Sequence, residues 1–264
     1  MTALSGKVVV VTGAGGGFGQ EMTRQFLRAG SHLILSDLHT DSLPCAASDV
    51  AGARGRILGH IAADLSEPDV ADTVFGHAVA LSPAVDILVM NAGVAVSGLF
   101  TDVPRHEWER LMAVNLLAPM RLTCAFLPGM LERRRGHLVY ISSVAGLIGV
   151  GQLAAYSTSK FGLRGFAEAI AAEVKPYGVA VTALYPYFAR TPILESPHYG
   201  DSRPTLDTSR LSEPEDVIAA LLAGIRRKTL HVYPGAIPRV VDGLRRLAPW
   251  TLPLLLADRS RRGK

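Results

Sequence analysis

The sequence predicts a single α/β domain built on a doubly wound, seven-stranded parallel sheet with helices on both faces. The first observation is size and composition, since 264 residues with 48% hydrophobic and 19% charged side chains can bury one large core. The second is the regular alternation of short apolar runs with longer helical stretches. Such alternation is typical of βαβ crossovers, which are right-handed and build a parallel sheet.

Seven short runs of apolar, largely β-branched residues are the predicted strands. They are Lys7–Val11, His32–Ser36, Ile57–Ile61, Ile87–Met90, His137–Ile141, Val179–Tyr185 and His231–Tyr233. Most of these runs are continuously apolar instead of alternating with polar residues. Strands that are covered on both faces of a parallel sheet have this composition, which supports the doubly wound arrangement.

Helices are predicted between the strands and would cover the two faces of the sheet. Three of them are long: Phe18–Ala29, Trp108–Phe126 and Tyr156–Lys175. A further helix is predicted to begin at a capping box, with Ser212 as the N-cap and Glu215 as the N3 residue.

Basic residues are concentrated near the carboxyl terminus. The formal net charge is +4, but residues 239–264 contain seven Lys or Arg and two Asp or Glu, whereas residues 1–238 contain 20 basic and 21 acidic residues. A nearly neutral body with a basic tail lacks the broad basic face that binding to duplex nucleic acid requires. We therefore expect no nucleic-acid partner.

Disulfide, metal and membrane-spanning features are not expected from the sequence. Cys45 and Cys124 form no CxxC pair, and the eight histidines form no metal-ligand motif. The amino-terminal residues show no signal-peptide pattern, and no run of about 18 apolar residues would span a membrane. We therefore expect a reduced, cytoplasmic protein without a bound metal.

A glycine-rich loop follows the first predicted strand and leads directly into a helix. It reads Thr12-Gly13-Ala14-Gly15-Gly16-Gly17-Phe18-Gly19, and we call it the glycine loop. Glycines allow a tight turn and let backbone amides approach a pyrophosphate, while the helix N-terminus supplies free N–H groups and partial positive charge. A flexible turn is the alternative, but the strand–loop–helix order favours a dinucleotide site of the Rossmann type.

Asp37 lies at the end of the second predicted strand, 18 residues after Gly19. An acidic side chain at this place accepts hydrogen bonds from the ribose hydroxyls of adenosine. A 2′-phosphate would bring further negative charge against this carboxylate, and no Arg or Lys lies in the glycine loop or just after Asp37. The sequence therefore predicts NAD(H) over NADP(H), with a solvated strand end as the alternative interpretation of Asp37.

Tyr156 and Lys160 are four positions apart in a predicted helix, so their side chains share one face, one turn apart. A tyrosine hydroxyl ordinarily has a pKa of about 10, and a neighbouring ammonium group lowers that pKa toward the range of a general base. Ser143, 13 residues upstream at a strand end, can donate a hydrogen bond to a substrate oxygen. An ordinary helix-surface pair is the alternative, and the glycine loop favours the catalytic interpretation.

With these motifs in order, the chain resembles the short-chain dehydrogenase/reductase superfamily from Leu4 to about Tyr233. The resemblance rests on Thr12-Gly-x-x-x-Gly17-x-Gly19, on Asn91-Ala92-Gly93, on Asn115 within Val114-Asn115-Leu116, and on Ser143 with Tyr156-x-x-x-Lys160. It implies a single-domain oxidoreductase that transfers hydride to or from a nicotinamide cofactor.

The resemblance implies a role for each of four catalytic residues. Tyr156 would exchange a proton with the substrate oxygen, and Ser143 would hold that oxygen. Lys160 would lower the pKa of Tyr156 and bind the nicotinamide ribose. Asn115 would anchor a water molecule that relays protons to the lysine. Ser142 is a competing serine, but its side chain would leave the strand on the opposite face.

The resemblance also implies the residues that contact the cofactor. Asp64 would contact adenine, Asn91 would support the central sheet, and Thr191 would contact the carboxamide. The full set is Thr12, Gly13, Gly17, Phe18, Gly19, Asp37, Asp64, Leu65, Asn91, Ala92, Gly93, Tyr156, Lys160, Pro186 and Thr191.

Two positions depart from the family pattern. Met90 replaces the first Asn of the usual Asn-Asn-Ala-Gly, and we expect little functional effect. After the sixth strand the family has Pro-Gly-x-Val-x-Thr, whereas this chain has Pro186-Tyr187-Phe188-Ala189-Arg190-Thr191. Tyr187 in place of glycine adds a bulky ring beside the nicotinamide, so it would narrow the pocket or face the substrate.

The segment from 188 to about 211 is expected to cover the substrate and to be mobile without a ligand, since it is long and rich in proline. The candidate pocket residues are mostly apolar: Leu147, Ile148, Val150, Leu153, Tyr187, Phe188, Ile193 and Leu194. They favour a lipophilic secondary alcohol or ketone, such as a steroid, terpenoid or fatty derivative. The alternative is that these side chains only pack the core.

Two other functions are compatible with these motifs. One is a 3-oxoacyl thioester reductase, which the expected NAD preference and the nearly neutral body disfavour. The other is a nucleotide-binding sensor or scaffold without turnover, which the intact set of four catalytic residues disfavours. By the resemblance we also expect a homo-oligomer, a tetramer or a dimer, built on two long helices.

The chain divides by pattern into a dinucleotide-binding and catalytic domain, residues 1–238, and an amphipathic basic extension, residues 239–264. The extension has an apolar face of Val240, Val241, Leu244, Leu247 and Ala248, opposite Arg239, Asp242, Arg245 and Arg246. Three interpretations stay open: a lid on the substrate pocket, a subunit interface, or contact with an anionic membrane surface. Pro249 and Pro253 interrupt the helical pattern, which disfavours the membrane interpretation.

Overall fold

The central sheet contains seven parallel strands, as predicted. The computed structural model describes residues 2–41, 43–201, 209 and 211–251. In chain order its strands are β1 Val8–Thr12, β2 His32–Asp37, β3 Arg56–Ala62, β4 Ile87–Met90, β5 Ser97–Gly98, β6 Gly136–Ile141, β7 Val179–Leu184, β8 His198–Tyr199 and β9 His231–Val232. The central sheet has the spatial order β3-β2-β1-β4-β6-β7-β9. Each of the seven predicted strands agrees with the observed bounds to within one residue.

The strand order changes direction between β1 and β4, which lie side by side with Val9 opposite Ile87. From β1 the sheet grows outward through β2 and β3, and from β4 it grows the other way through β6, β7 and β9. In sheets of this kind, ligands bind outside the carboxyl ends of the strands at the point where the order changes. The glycine loop follows β1 at this point, and Asn91 follows β4.

Helices cover both faces of the sheet within the described part of the chain. In chain order they are α1 Gly17–Arg28, α2 Val70–Leu81, α3 Arg105–Met112, a π-helical turn Ala113–Leu117, α4 Ala118–Glu132, α5 Ala154–Val174, α6 Pro214–Arg227 and α7 Ala236–Leu247. The side chains of α1 and α6 share a core with Val9 and Val11, whereas α2, α4 and α5 share one with Val10. Because successive strand residues point to opposite faces, β1 contributes to both cores. The molecule is therefore a single doubly wound α/β domain.

The predicted helix Trp108–Phe126 is part of a longer run, Arg105–Glu132, which joins α3, the π-helical turn and α4. By length and composition alone this run could cross a membrane, and it is the one such helix among the described residues. Its side chains Leu111, Leu122 and Phe126 are buried in the cores of the domain. Core packing therefore accounts for its apolar composition.

The capping box predicted at the start of α6 is wrong. Glu213 is the N-cap residue, the helix begins at Pro214, and no side chain caps it. Ser212 instead pairs with the segment after β7, where its N–H donates to the carbonyl of Phe188 at 2.9 Å and its carbonyl accepts from Arg190 N at 3.1 Å. Because this pairing uses the backbone of Ser212, the chain turns into the helix one residue later than the sequence pattern suggests.

A small parallel sheet of β5 and β8, which the sequence did not predict, attaches the segment after β7 to the domain. Ser97 N donates to the carbonyl of Pro197 at 3.0 Å, and the Tyr199 hydroxyl donates to Glu107 at 3.1 Å. The first part of the predicted substrate-covering segment is thus held by contacts with β5 and α3, in contrast to the free segment expected. Residues 202–208 and 210 of that segment lie outside the described residues.

Helix α7 forms the first part of the basic extension, and it packs on the domain through Pro238, Val241 and Asp242. Its amphipathic pattern is as expected, but the side that faces the domain includes the acidic residue. The remainder of the extension, residues 252–264, lies outside the described residues.

Candidate active site

The glycine loop is packed so closely that side chains would not fit at several of its positions. Gly13 has a φ of +65°, and a Cβ there would lie 2.7 Å from the Cα of Ala92. A Cβ on Gly17 would lie 2.8 Å from Cγ2 of Thr191, and one on Gly19 would collide with the carbonyl oxygen of Gly13. The loop therefore holds Ala92 and Thr191 directly against the start of α1.

The N-terminus of α1 is suited to bind a phosphate group. Gly16 occupies the N-cap position, so no side chain caps the first turn. The N–H groups and partial positive charge of such a terminus bind anions. The side chain of Phe18 packs against the core beneath the helix, which keeps it out of the loop. These features fit the pyrophosphate of a dinucleotide.

The carboxylate of Asp37 lies against the glycine loop. Its Oδ2 accepts a hydrogen bond from the N–H of Gly15 at 2.8 Å, and its Oδ1 accepts from the N–H of His39 at 3.3 Å. These contacts fix the carboxylate at the carboxyl end of β2, beside the start of α1. The position is the one that the adenosine ribose of a dinucleotide on this loop would occupy.

Asn91 and Thr12 connect the carboxyl ends of β1 and β4. The Asn91 side-chain amide donates to the carbonyls of Thr12 and Gly13 at 3.0 and 2.9 Å. In return, the hydroxyl oxygen of Thr12 accepts from the N–H groups of Asn91 and Ala92 at 3.1 and 3.2 Å. Four hydrogen bonds therefore set the distance between the two strands from which the site is built.

Asp64 and Leu65 follow β3 at the same edge of the sheet. The Asp64 carboxylate accepts from the N–H and the hydroxyl of Ser66 at 2.9 and 2.7 Å, which lowers the pKa of Asp64. Leu65 is buried in the core. The Leu65 side chain thus anchors the end of β3 in the core. The Leu65 backbone and the Asp64 side chain can then contact a ligand.

The two serines after β6 have different partners. The side chain of Ser143 faces Tyr156, and its hydroxyl oxygen accepts the N–H of Ala145 at 3.1 Å. Ser142 donates instead to the carbonyl of Lys160 at 3.1 Å. As the sequence suggested, Ser143 and not Ser142 faces the tyrosine.

Lys160 is 4% exposed and reaches back to the sheet. Its ammonium nitrogen donates to the carbonyl of Ile141 at 2.9 Å and lies 5.6 Å from the centre of the Tyr156 ring. A Cβ on Gly93 would lie 3.5 Å from this nitrogen and 3.3 Å from Oδ1 of Asn115. Gly93 therefore brings the segment after β4 into close contact with Lys160 and Asn115.

The pKa values of the tyrosine and the lysine are governed by burial. Burial raises the pKa of Tyr156 to about 12, although the hydrogen bond from Ser143 acts in the opposite direction. Burial lowers the pKa of Lys160 to about 8. The raised pKa of Tyr156 differs from the lowered value expected beside Lys160, because desolvation of the phenolate has the largest effect on this group. The phenol therefore holds its proton at neutral pH.

Asn115 lies in the π-helical turn between α3 and α4 and is fully buried. Its Oδ1 accepts from the N–H of Val94 at 2.9 Å, and its amide nitrogen donates to the carbonyl of Val94 and the hydroxyl of Ser159 at 2.8 and 3.2 Å. Both amide hydrogens are thus in use, so a water molecule at this place would be bound by the main chain. Wide helical turns of this kind occur frequently at functional sites.

An apolar wall, which sequence reasoning missed, lies beside Tyr156. It consists of Val96, Val103 and Leu111, with Val94, Trp108, Met112, Ala155, Tyr156 and Tyr199 packed against them. These residues come from the segments on either side of β5, from α3, from the start of α5 and from β8. No motif marks them in the sequence, because residues 94–112, the start of α5 and Tyr199 are distant from one another in the sequence.

The candidate pocket residues are distributed over several surroundings. Leu147 is buried in the main core, and Ile193 is 37% exposed. Val150 lines a groove with Ser157 and Phe161 on the side of α5 turned away from the catalytic residues. The remaining predicted pocket residues, Ile148, Leu153, Tyr187, Phe188 and Leu194, are half-buried.

The segment after β7 brings Pro186, Tyr187 and Thr191 to the site. Pro186 is buried, and its carbonyl accepts the N–H of Val144 at 3.0 Å, next to Ser143. Tyr187 and Phe188 form an edge-to-face pair with ring centres 5.0 Å apart. The Tyr187 ring therefore occupies space that a glycine would leave open.

Comparison with curated proteins shows similarity along nearly the whole chain. Residues 7–199 match the family model described as short chain dehydrogenase. The chain is 33% identical to dehydrogenase/reductase SDR family member 7B of Xenopus laevis, over 98% of this chain and 83% of that protein. It is 33% identical to epidermal retinol dehydrogenase 2 of Homo sapiens, over 97% and 82% of the two chains. It is 35% identical to 3-ketodihydrosphingosine reductase of Bos taurus, over 81% and 65%.

Solved structures give the same result. A short-chain dehydrogenase from Streptomyces avermitilis superimposes with a TM-score of 0.82 at 27% identity over the full length of both chains. One from Sphingobium yanoikuyae in complex with NADPH has a TM-score of 0.76 at 28% identity, over 91% and 93% of the chains. One from Burkholderia phymatum in complex with NAD has a TM-score of 0.79 at 25% identity, over 97% of each chain. The chain belongs to the short-chain dehydrogenase/reductase family of oxidoreductases that use a nicotinamide cofactor.

Proposed function

We propose that this chain is an NAD(H)-dependent oxidoreductase that interconverts a hydrophobic secondary alcohol and the corresponding ketone. The observation that carries the proposal is that the side chain of Ser143 acts on Tyr156, beside the apolar wall. If the substrate oxygen lies between the two hydroxyl groups, Ser143 can hold it and Tyr156 can exchange a proton with it. The rest of the substrate would then contact half-buried members of the wall, such as Val94 and Met112.

Tyr156 is the proposed general acid and base, and Ser143 the group that holds the substrate oxygen. The neutral phenol donates a proton in ketone reduction, and its phenolate accepts one in alcohol oxidation. Burial raises the pKa of Tyr156 to about 12, so the phenol is the dominant form at neutral pH. The N–H of Ala145 orients the Ser143 hydroxyl toward the same oxygen.

Lys160 and Asn115 are proposed to support the proton path. Lys160, held by the carbonyl of Ile141, would bind the nicotinamide ribose and return protons to Tyr156. Asn115 is a positioning residue whose side chain ties Val94 to Ser159 on α5. The main chain of the π-helical turn would hold the relay water.

A bound nicotinamide would supply or accept the hydride. The glycine loop and the N-terminus of α1 would hold its pyrophosphate, Asp64 its adenine, and Thr191 its carboxamide. The Asp37 carboxylate, already oriented by the N–H of Gly15, would accept the ribose hydroxyls and repel a 2′-phosphate. This charge relationship supports NAD(H) over NADP(H), although family members with either cofactor are known.

The proposed substrate class is a lipophilic alcohol or ketone of the steroid, terpenoid or fatty type. Support comes from the apolar wall and from the aromatic pair of Tyr187 and Phe188. The names of two relatives, a retinol dehydrogenase and a 3-ketodihydrosphingosine reductase, denote lipid-like substrates of those proteins.

Absorbance at 340 nm tests the proposal with NADH and a panel of ketones, and with NAD⁺ and the matching alcohols. The panel runs from small aliphatic compounds to terpenoid, steroid and long-chain ones, and it includes polar hydroxy acids and 3-oxoacyl thioesters. We expect kcat/KM to rise with apolar surface and to be higher with NADH than with NADPH. Higher values for thioesters or hydroxy acids would contradict the substrate class. If the protein binds NADH but converts no compound of the panel, the alternative function of a nucleotide-binding sensor without turnover would be favoured.

We also propose a homo-oligomer formed through α4 and α5. Met120 on α4 and Phe161 on α5 are 38% and 41% exposed, and Leu117, in the π-helical turn before α4, is 40% exposed. Covering them in a helix-to-helix contact would bury apolar surface without moving the catalytic residues. Light scattering is expected to give a dimer or tetramer at micromolar concentration, and a monomer would contradict the proposal.

A further inference from the structure

Helix α7 turns apolar side chains away from the domain. Val240 and Leu247 are 58% and 82% exposed, and Trp250, which follows the helix, is 70% exposed. At about 100° per residue, positions 240, 244 and 247 fall within one narrow sector of the helix. We call Val240, Leu244, Leu247 and Trp250 the outer patch. Exposed large apolar side chains grouped in this way mark interaction sites.

The rotation of α7 is fixed by polar contacts on its inner side. Asp242 is 6% exposed, and its carboxylate accepts from Arg245 at 3.0 Å and pairs with Arg246 at 2.8 Å. Arg239 donates to the carbonyl of Tyr233 at 3.3 Å, at the end of β9. A buried carboxylate is costly without such partners. The two arginine pairs lie within α7 and keep the buried carboxylate neutralised. Turning the helix to bury Leu247 would expose Pro238 and Asp242 and break the hydrogen bond between Arg239 and Tyr233, so the outer patch stays exposed.

The charge around the outer patch favours an anionic partner. Residues 239–264 carry a net charge of +5, whereas residues 1–238 carry −1. The sequence of residues 252–264, which lie outside the described part, continues with four leucines and then four basic residues. Trp, Leu and Arg in one amphipathic segment are typical of helices that lie in the surface of a membrane.

A second copy of the chain is a less favourable occupant. In a two-fold contact the outer patch would face itself, and two segments 239–251, each with three arginines and one aspartate, would lie side by side. Anionic lipid headgroups remove this repulsion, because each basic residue near such a surface gains attraction instead. Pro249 does not oppose membrane contact, since α7 is complete by Leu247.

We propose that α7 and Trp250 dock this enzyme on the surface of an anionic lipid bilayer. Leu247 and Trp250 enter the boundary between headgroups and acyl chains, and the exposed guanidinium of Arg239 contacts lipid phosphates through the nitrogens that do not bind Tyr233. The inner side of the helix keeps its contacts with the domain, so docking requires no unfolding. The proposal is independent of the substrate and of turnover.

Vesicle co-sedimentation with the full-length protein tests the proposal. One set of vesicles contains phosphatidylcholine alone, and the other contains phosphatidylcholine with phosphatidylglycerol. We expect binding to the anionic vesicles, weakened by high salt, and at least roughly ten-fold weaker binding of the double variant Leu247→Ala with Trp250→Ala. The double variant Leu99→Ala with Phe100→Ala is the matched control, since these side chains are 58% and 55% exposed elsewhere on the surface.

Three outcomes would overturn the proposal. The first is no binding of the wild-type chain to anionic vesicles. The second is equal binding of the wild type and the Leu247/Trp250 variant. The third combines two results: the wild-type chain binds no vesicles, and light scattering shows that the Leu247/Trp250 variant has lost self-association. This outcome would assign the outer patch to a contact with a second copy of the chain. Circular dichroism and NADH binding verify that the variants are folded.

Discussion

The hydroxyl group of Ser142 donates a hydrogen bond of 3.1 Å to the main-chain carbonyl of Lys160. The side chain of the next residue, Ser143, faces Tyr156. Consecutive residues at the end of an extended strand point to opposite sides. One serine therefore secures helix α5, while its neighbour faces the substrate oxygen.

These two serines are expected to respond differently to substitution. Ser143→Ala should lower kcat by about 10²- to 10³-fold, because it removes a donor to the reacting oxygen. Ser142→Ala should change kcat little and lower the free energy of unfolding by about 1 kcal/mol, because it removes one buried hydrogen bond. Steady-state kinetics and urea unfolding of both variants measure this. Equal losses of kcat would contradict the assignment.

Asp37 is expected to set the cofactor preference. Asp37→Ser should weaken NADH binding by about ten-fold and narrow or reverse the preference over NADPH, since the carboxylate no longer accepts ribose hydroxyls or repels a phosphate. Titration followed by NADH and NADPH fluorescence measures both dissociation constants. Asp72→Ser, at an exposed position in α2, is the control. An unchanged ratio of the two constants in the Asp37 variant would assign the preference elsewhere.

Gly17 is expected to tolerate no side chain. A Cβ there would meet Thr191 at 2.8 Å, so Gly17→Ala should displace Thr191 or the start of α1 and weaken NADH binding by roughly ten-fold or more. Gly165→Ala in α5 is the control, because a Cβ at that position meets nothing within 4 Å. Alanine also has the higher helix propensity, so the control variant should be as stable as the wild type or more so. Equal NADH affinity in both variants would contradict the close packing.

Lys160 is expected to give a pH dependence of stability. Its pKa in the folded chain is about 8, below the ordinary 10.5, so the unfolded chain binds more protons between these values. Stability from this residue therefore rises as the pH increases from about 8 toward 10, and the contribution is least favourable below pH 8. Urea unfolding at pH 7.5, 9 and 10 should show Lys160→Met losing its stability advantage over the wild type as the pH rises. A constant difference between the two proteins would rule out the lowered pKa.

The sheet was predictable because local pattern and burial agree at every strand. Val8–Thr12 and Ile87–Met90 are continuously apolar, and both are covered by helices on two faces. The glycine loop and the Tyr156–Lys160 spacing were readable for the same reason, since each depends on a few neighbouring residues. Their convergence follows from the topology, which places the ends of β1, β4 and β6 at one edge.

Other features depend on contacts between distant segments and leave no local signal. The π-helical turn at Asn115 is stabilised by hydrogen bonds to Val94 and Ser159, 21 and 44 residues away. The apolar wall joins residues 94–112 with the start of α5 and with Tyr199 of β8, which are distant in the sequence. The inward position of Asp242 opposes the simple rule that charged residues face solvent, and it follows from its pairing with two arginines. The raised pKa of Tyr156 is likewise a result of burial, which spacing alone does not reveal.

The most direct test of the proposed function is the turnover of Tyr156→Phe with NADH and the best hydrophobic ketone of the panel. The variant loses only the hydroxyl that exchanges the proton, so kcat should fall by about 10²- to 10⁴-fold while NADH binding is retained. Tyr177→Phe, at a tyrosine that is 45% exposed after α5, should match the wild type. Turnover by Tyr156→Phe at the wild-type rate would contradict the assignment of Tyr156 as the proton donor.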